Sequence, residues 1–340
     1  MLGMTALQQS LLATLAWFDL FDYPLTAWEV YTWLCIGNDK AGFGASSSYE
    51  EVLEGLRALV AEKAIESQWS FFFLVGRKET VEIRRNRYLI ADAKFTRARY
   101  VASLFRFVPW VRMVAVCNTL GYSNAAHESD IDFLIITSSG RLWTVRAVCL
   151  ALLVLLGLRP SLQRFGAKQE ERKDKIDLTF FVGEDALDLS RLSLKGDASA
   201  LIPDPYFVYW LVQLTPLLDK GGVYERFWEA NHTLRQSVPH TLPYLTSPLR
   251  RVSERVQIIQ KIFELLLWGR RAERLLRRVQ LAIMPLRLRE EASRHRGVVL
   301  DEHVLKFHDH DRREEYRERW FKLIKSQITI SKSQINLNIQ

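Results

Sequence analysis

Residues 113–137 read MVAVCNTLGYSNAAHESDIDFLIIT. An apolar run at 113–117 leads into a polar loop that ends at Ser129, and a second apolar run covers 131–137. Side chains on a strand alternate faces, so residues two apart point the same way. Ile131, Phe133 and Ile135 are thereby predicted to enter a core, while Asp130 and Asp132 project together to a polar side. Two carboxylates held side by side repel each other unless a positive charge lies between them, and a hard divalent cation such as Mg²⁺ supplies it. An isolated Asp-x-Asp pair is more often a solvated loop or a turn cap.

The pattern gains weight downstream. Residues 176–182 read IDLTFFV, an apolar run with Asp177 at the place that Asp132 holds in the first. If the two runs are neighbouring strands, three carboxylates converge at one end of a sheet. The segment 141–158 is long enough to be the crossover helix between them.

These residues resemble the nucleotidyltransferase superfamily, the polymerase-beta-like minimal fold, over roughly 93–182. The phrases ESDIDFLIIT, GRLW and KIDLTFFV look like those of a group of bacterial proteins that carry such a domain. The family pattern is a Gly-Ser turn, a gap of some ten residues, Asp-x-Asp on a strand and a third acid on a later strand. The resemblance implies that Asp130, Asp132 and Asp177 are catalytic and bind Mg²⁺. It also implies that Asn118, Thr119 and Ser129 lie near the phosphates of an NTP. Here the chain departs from the family: the Gly-Ser position falls on Asn118-Thr119, while Gly121-Tyr122 is too close to Asp130. Asn tolerates a left-handed backbone better than most residues, and Thr keeps the hydroxyl.

The 340 residues are 48% hydrophobic and 25% charged, which suits a globular protein of two or three domains. Cys35, Cys117 and Cys149 are odd in number and scattered. They read as buried free thiols of a reducing, cytoplasmic compartment rather than a disulfide framework. The N-terminus shows no secretory signal pattern. The most apolar run, AVCLALLVLLGL at 147–158, is too short to span a bilayer. The net charge of +8 is uneven: residues 241–325 hold 20 Lys or Arg against 12 Asp or Glu, which equals the whole excess. A phosphate-rich partner would meet that region first.

Along the chain, helical periodicity is read at 5–18, after a Thr26–Glu29 capping box, and at 49–63, followed by a strand pair at 64–75. Three helices and a hairpin resemble a winged-helix domain. Its third helix carries Glu50, Glu51, Glu54 and Glu62 against Arg57 and Lys63. That face would repel DNA phosphates, so a packing or protein-contact role is favoured over DNA binding. Arg84, Arg85 and Arg87 read as a solvated connecting segment before a helix at 93–107. Lys168, Arg172, Lys173 and Lys175 read as a solvated basic loop. Residues 206–218 read as one apolar helix and 224–231 as another, with Tyr209, Trp210 and Trp228 as core aromatics. The long segment 251–286 is amphipathic, with Arg270, Arg271, Arg274, Arg277 and Arg278 on its basic face. His303, His308, Asp309, His310 and Asp311 are not spaced as a metal site on one helix face.

The expected architecture is α+β: a winged-helix-like domain at 1–92, a small mixed-sheet nucleotidyltransferase core at 93–185, a helical region at 186–325 and a disordered tail at 326–340. The expected activity is Mg²⁺-dependent transfer of an NMP group from an NTP to a hydroxyl on a small molecule, a protein or an RNA. The alternative is a non-catalytic nucleotide-binding sensor or adaptor with a degenerate site.

Overall fold

Capping residues set the first elements. Thr5 with Gln8, Thr26 with Glu29 and Ser48 with Glu51 form reciprocal boxes that begin α1 (Ala6–Asp19), α2 (Ala27–Thr32) and α3 (Tyr49–Ala61). Each such cap contributes about 1 kcal/mol. The structure, a computed structural model, describes residues 4–36, 47–159, 173–195, 202–243, 250–253, 270–293, 297–308 and 311–337. β1 (Leu25–Thr26), β2 (Ile65–Gln68) and β3 (Phe71–Leu74) form an antiparallel sheet in the order β1-β3-β2.

The long helix α4 (Thr80–Phe105) follows. It absorbs the expected connecting segment, because no Gly or Pro interrupts 80–105. Then come β4 (Val111–Val116), the short α5 (Asn118–Gly121), β5 (Ile131–Thr137), α6 (Leu142–Leu155) and β6 (Ile176–Gly183), in the order read from the sequence. The remainder is α7 (Pro205–Val212), β7 (Thr215–Asp219), α8 (Val223–Ala230), α9 (His232–Arg235), α10 (Arg270–Ile283), α11 (Leu286–Ser293), β8 (Val298–Leu300), β9 (Val304–Phe307) and α12 (Arg313–Leu337).

Six strands make the main sheet in the order β7-β4-β5-β6-β9-β8. Among the described residues only β5 and β6 pair in parallel; every other neighbouring pair is antiparallel. The chain is therefore mixed α and β with a mixed sheet, as expected. A parallel pair needs a crossover, and α6 supplies it.

Both sheet faces are buried, by alternation. Ile131, Phe133, Ile135, Ile176 and Phe181 face a core shared with α4 and α6. Met113, Ala115, Leu134, Ile136, Phe180 and Val182 face a second core shared with α1, α7, α8 and α12. The face expected to be polar is thus roofed by helices, and Asp132 lies on it only because it sits at the start of its strand.

Three expectations need correction. The helix read over 206–218 stops at Val212, and 215–219 become edge strand β7. Pro216 cannot donate to a ladder, and it sits where the β4–β7 register shifts, opposite Ala115. The region after 186 is not wholly helical, since β7, β8 and β9 complete the sheet. The last helix runs through Leu337, not only to 325. Leu323, Ile324 and Ile328 share its inner face and reach the core that α1 lines, and Trp320 Nε1 donates to the Ala13 carbonyl at 2.8 Å. No described helix is long and apolar enough to cross a membrane.

Candidate functional site

The register of β5 against β6 aligns Ile131 with Ile176 and Asp132 with Asp177. Direct partners on adjacent strands stand side by side on one face. Past them β6 bulges: Leu134 pairs with Phe180, so two steps on β5 match three on β6. Asp130, one residue before β5, is half-buried like the other two. All three carboxylates act on one point. The buried Cys117 thiol is pushed well above its ordinary value by burial first, then by the charge of Asp132, with Asp177 and Asp130 adding.

Asn118 closes the site from β4. It has φ +56°, the left-handed conformation its residue type was expected to tolerate. Its Nδ2 donates to Asp132 Oδ2 at 2.7 Å. Its Oδ1 is buried without a hydrogen-bond partner. Thr119 follows in α5, and both residues line a crevice roofed by Tyr206 and Trp210 of α7. Gly121 has another job: a Cβ there would lie 2.5 Å from the Gln213 carbonyl oxygen. It permits close packing of α5 on the α7–β7 turn.

Ser129 is held differently from expectation. Its Oγ donates to the Ala126 carbonyl at 2.9 Å, so its hydroxyl serves the turn. Its own carbonyl accepts from the Nζ of Lys94, which the sequence reading did not single out. Lys94 is buried on α4 and also donates to His127 O and Asp174 Oδ1. The loop before β5 and the loop before β6 are further joined by Asp174 N to Ser129 O at 3.2 Å and Ile131 N to Lys175 O at 2.8 Å. A lone Lys in a helix of charged residues gives little signal in sequence; only its burial marks it.

Two arginines lie within electrostatic reach of Asp177. Arg146 is pulled down to about 10 by burial and by the charge of Arg159, with Asp177 opposing; Arg159 is also lowered by burial, again against Asp177. Of the expected basic loop, Lys168 and Arg172 lie outside the described residues. Lys173 Nζ meets His127 Nε2 at 2.8 Å, and Lys175 Nζ donates to Gly157 O.

Among the described residues, no group of three or more His, Cys, Asp and Glu is gathered as a metal cage. Mg²⁺ commonly takes one or two carboxylates and completes its shell with water and substrate phosphates. The aligned Asp132 and Asp177, with Asp130 and the orphaned Asn118 Oδ1 beside them, fit that mode. In the histidine-rich stretch, Asp309 and His310 lie outside the described residues. His303 Nδ1 meets Asp185 Oδ2 at 3.1 Å, and Asp311 pairs with Arg313.

The chain matches no protein-family model, no curated protein and no solved structure. The residues and their geometry therefore carry the functional argument alone.

Proposed function

We propose that the protein is a nucleotidyltransferase that moves an NMP group from an NTP to a hydroxyl acceptor. The observation that carries this reading is the register match of Asp132 with Asp177 on the parallel pair β5–β6, at the end where Asn118 enters a left-handed turn. Asp132 and Asp177 would hold Mg²⁺, with the Asp130 carboxylate adding negative charge alongside. The chemistry supplied there when the ion is bound is neutralisation of charge on the attacking and leaving oxygens of an in-line displacement. Thr119 and the backbone of α5 steady the phosphates. Asp177 takes the acceptor's proton, the oxygen attacks the α-phosphorus and pyrophosphate leaves. The order of helices and strands before α4, with β1-β3-β2 pairing, supports a winged-helix-like module. The acidic α3 favours a protein partner for it over DNA. The buried thiols of Cys35, Cys117 and Cys149 favour a cytoplasmic setting.

A second reading has its own support. Asn118 Nδ2 already occupies one oxygen of Asp132, and Asp177 has Arg146 and Arg159 within electrostatic reach. On this reading the site binds a nucleotide without turnover and the N-terminal module transmits the state. Incubation with labelled NTPs, Mg²⁺ and extract separates the two. The transferase reading expects label on an acceptor and pyrophosphate release, both lost in Asp132→Ala. Mg²⁺-dependent nucleotide binding without transfer leaves the sensor. Absence of any Mg²⁺-dependent nucleotide binding removes both.

A further inference from the structure

α6 covers one face of the main sheet, and α10 packs on α6 as a further layer. Polar contacts fix the inner side of α10. The Glu273 carboxylate accepts from Trp143 N at 2.8 Å and from Thr144 N at 2.9 Å, at the start of α6. Gln280 Nε2 donates to the Trp143 carbonyl at 2.8 Å, and Met284 is buried in the core that α4 and α6 share. Glu273, Gln280 and Met284 are seven and four residues apart, so they mark one face of the helix.

The outer side is apolar. Leu275, Val279 and Ile283 recur every fourth residue and make one stripe. They are 61%, 47% and 76% exposed, and Leu286, the first residue of α11, is 68% exposed. Single exposed apolar side chains are ordinary, but four along one helix and its continuation are not. Helix propensity does not call for them, since Lys or Glu would serve better than Val or Ile. Val154, Leu155 and Leu156, at the end of α6, are exposed as well.

Charge says what covers this face. Arg271, Arg274 and Arg278, three and four apart, form a second exposed stripe along one flank of the first. Arg277 meets Glu302 at 3.4 Å, whereas among the described residues Arg271, Arg274 and Arg278 meet no acid. Residues 270–293 hold seven Arg against three Glu, and one of those Glu caps α6. The cover must therefore be apolar and negatively charged together. A second copy in two-fold contact would set the same arginines against each other. Nucleic acid brings phosphates but has no use for aliphatic side chains, and 270–293 contains no Phe, Tyr or Trp to stack on a base. The preceding segment 254–269, outside the described residues, carries two acidic and two basic side chains and so brings no net charge. An anionic bilayer supplies both parts, acyl chains for the apolar stripe and headgroup phosphates for the arginines.

We propose that the outer face of α10 is a docking surface for an anionic lipid bilayer. Leu275, Val279, Ile283 and Leu286 enter the acyl boundary, and Arg271, Arg274 and Arg278 meet lipid phosphates. The helix lies in the plane of the interface and does not cross it. This surface is independent of the nucleotidyltransferase reading and holds whether or not the carboxylates turn over a nucleotide.

Co-sedimentation of the full chain with two kinds of vesicle tests it: phosphatidylcholine alone, and phosphatidylcholine with phosphatidylglycerol in equal parts. Binding is expected to the second and not the first, and to fall as salt screens the headgroups. Arg274→Gln with Arg278→Gln should weaken it about thirtyfold, at about 1 kcal/mol per charge near the surface. Leu275→Ser with Ile283→Ser should weaken it at least about a hundredfold, while the urea midpoint stays where it was. Three results overturn the proposal. One is no preference for the anionic vesicles. Another is anionic binding that survives the double Ser variant. The third is a lowered urea midpoint, or a dimer lost in light scattering, in that variant, which would assign the stripe to the chain's own packing or to a second copy.

Discussion

The ammonium of Lys94 donates to the Ser129 carbonyl at 2.6 Å and to Asp174 Oδ1 at 2.7 Å. Ser129 is one residue before Asp130, and Asp174 is three before Asp177. One buried cation on α4 therefore fixes the spacing of the two loops that deliver the carboxylates.

Lys94→Met should cost about 2–3 kcal/mol in urea unfolding. Removing one partner strands the others, and the partial exposure of Asp174 discounts the larger figures for fully buried pairs. It should also weaken Mg²⁺-dependent nucleotide binding. The pH dependence has a defined sign. Burial raises the Asp174 carboxyl, but the Lys94 hydrogen bond and charge outweigh it, with Arg97 and Lys173 adding, and hold it below the usual range. A depressed carboxylate stabilises the fold above its unfolded value of about 3.9, and that contribution fades as pH falls below it. Acid titration of stability should show a smaller loss in Lys94→Met than in the wild type; an identical loss would mean that Lys94 does not hold Asp174.

Gly121→Ala and Asn118→Gly separate packing from backbone conformation. The first places a methyl 2.5 Å from a backbone oxygen that cannot swing away. A loss of about 1–3 kcal/mol is expected from such overpacking. The second relieves a left-handed Asn but deletes its hydrogen bond to Asp132, so stability should change by less than about 1 kcal/mol. Thermal and urea unfolding of both variants read this directly. A larger loss in Asn118→Gly than in Gly121→Ala would reverse the assignment.

The alternation of 131–137, the acid repeated at 177 and the helix between them were legible because each is a local pattern with one period. The pairing of Asp132 with Asp177 followed from it, and the register agrees for Ile131 with Ile176 and Asp132 with Asp177 before the bulge in β6 shifts it by one. What stayed hidden was non-local. β7 was lost inside an apolar run because an edge strand with Pro216 has no clean alternation. β8 and β9 are three and four residues long, too short to show a period. Lys94 and Lys306 carry the most ordinary of surface residue types, and only the surrounding packing distinguishes them from solvated ones.

Arg84, Arg85 and Arg87 make the same point and give a third prediction. Arg84 pairs with Glu29 at 2.7 Å with both side chains largely buried, and its guanidinium lies 4.1 Å from the Tyr23 ring centre. Glu29 is the capping glutamate of α2, so the pair ties that helix to α4. Arg87 meets Asp22 and the Phe21 carbonyl. Arg85 pairs with Glu82 on an exposed face. Arg84→Ala should therefore cost about 3 kcal/mol, as for a broken buried pair, and Arg85→Ala less than about 0.5. Equal, small effects in denaturant titrations would restore the solvated reading of the whole segment.

Lys306 gives the fourth. Burial, then the charge of Arg313, pulls its ammonium down to about 8, with Asp311 and Asp204 opposing. In an unfolded chain the group titrates near about 10.4. Between those values the unfolded state binds more protons than the folded one, so this residue makes stability rise with pH across that window. Below about pH 8 both states are protonated and the full cost of burying the charge is present. Urea titrations at pH 7, 8, 9 and 10 should thus show the wild type gaining on Lys306→Met as pH rises, with no change in the difference below pH 7. A difference that stays flat from pH 7 to pH 10 would mean that burial does not hold this ammonium below its unfolded value.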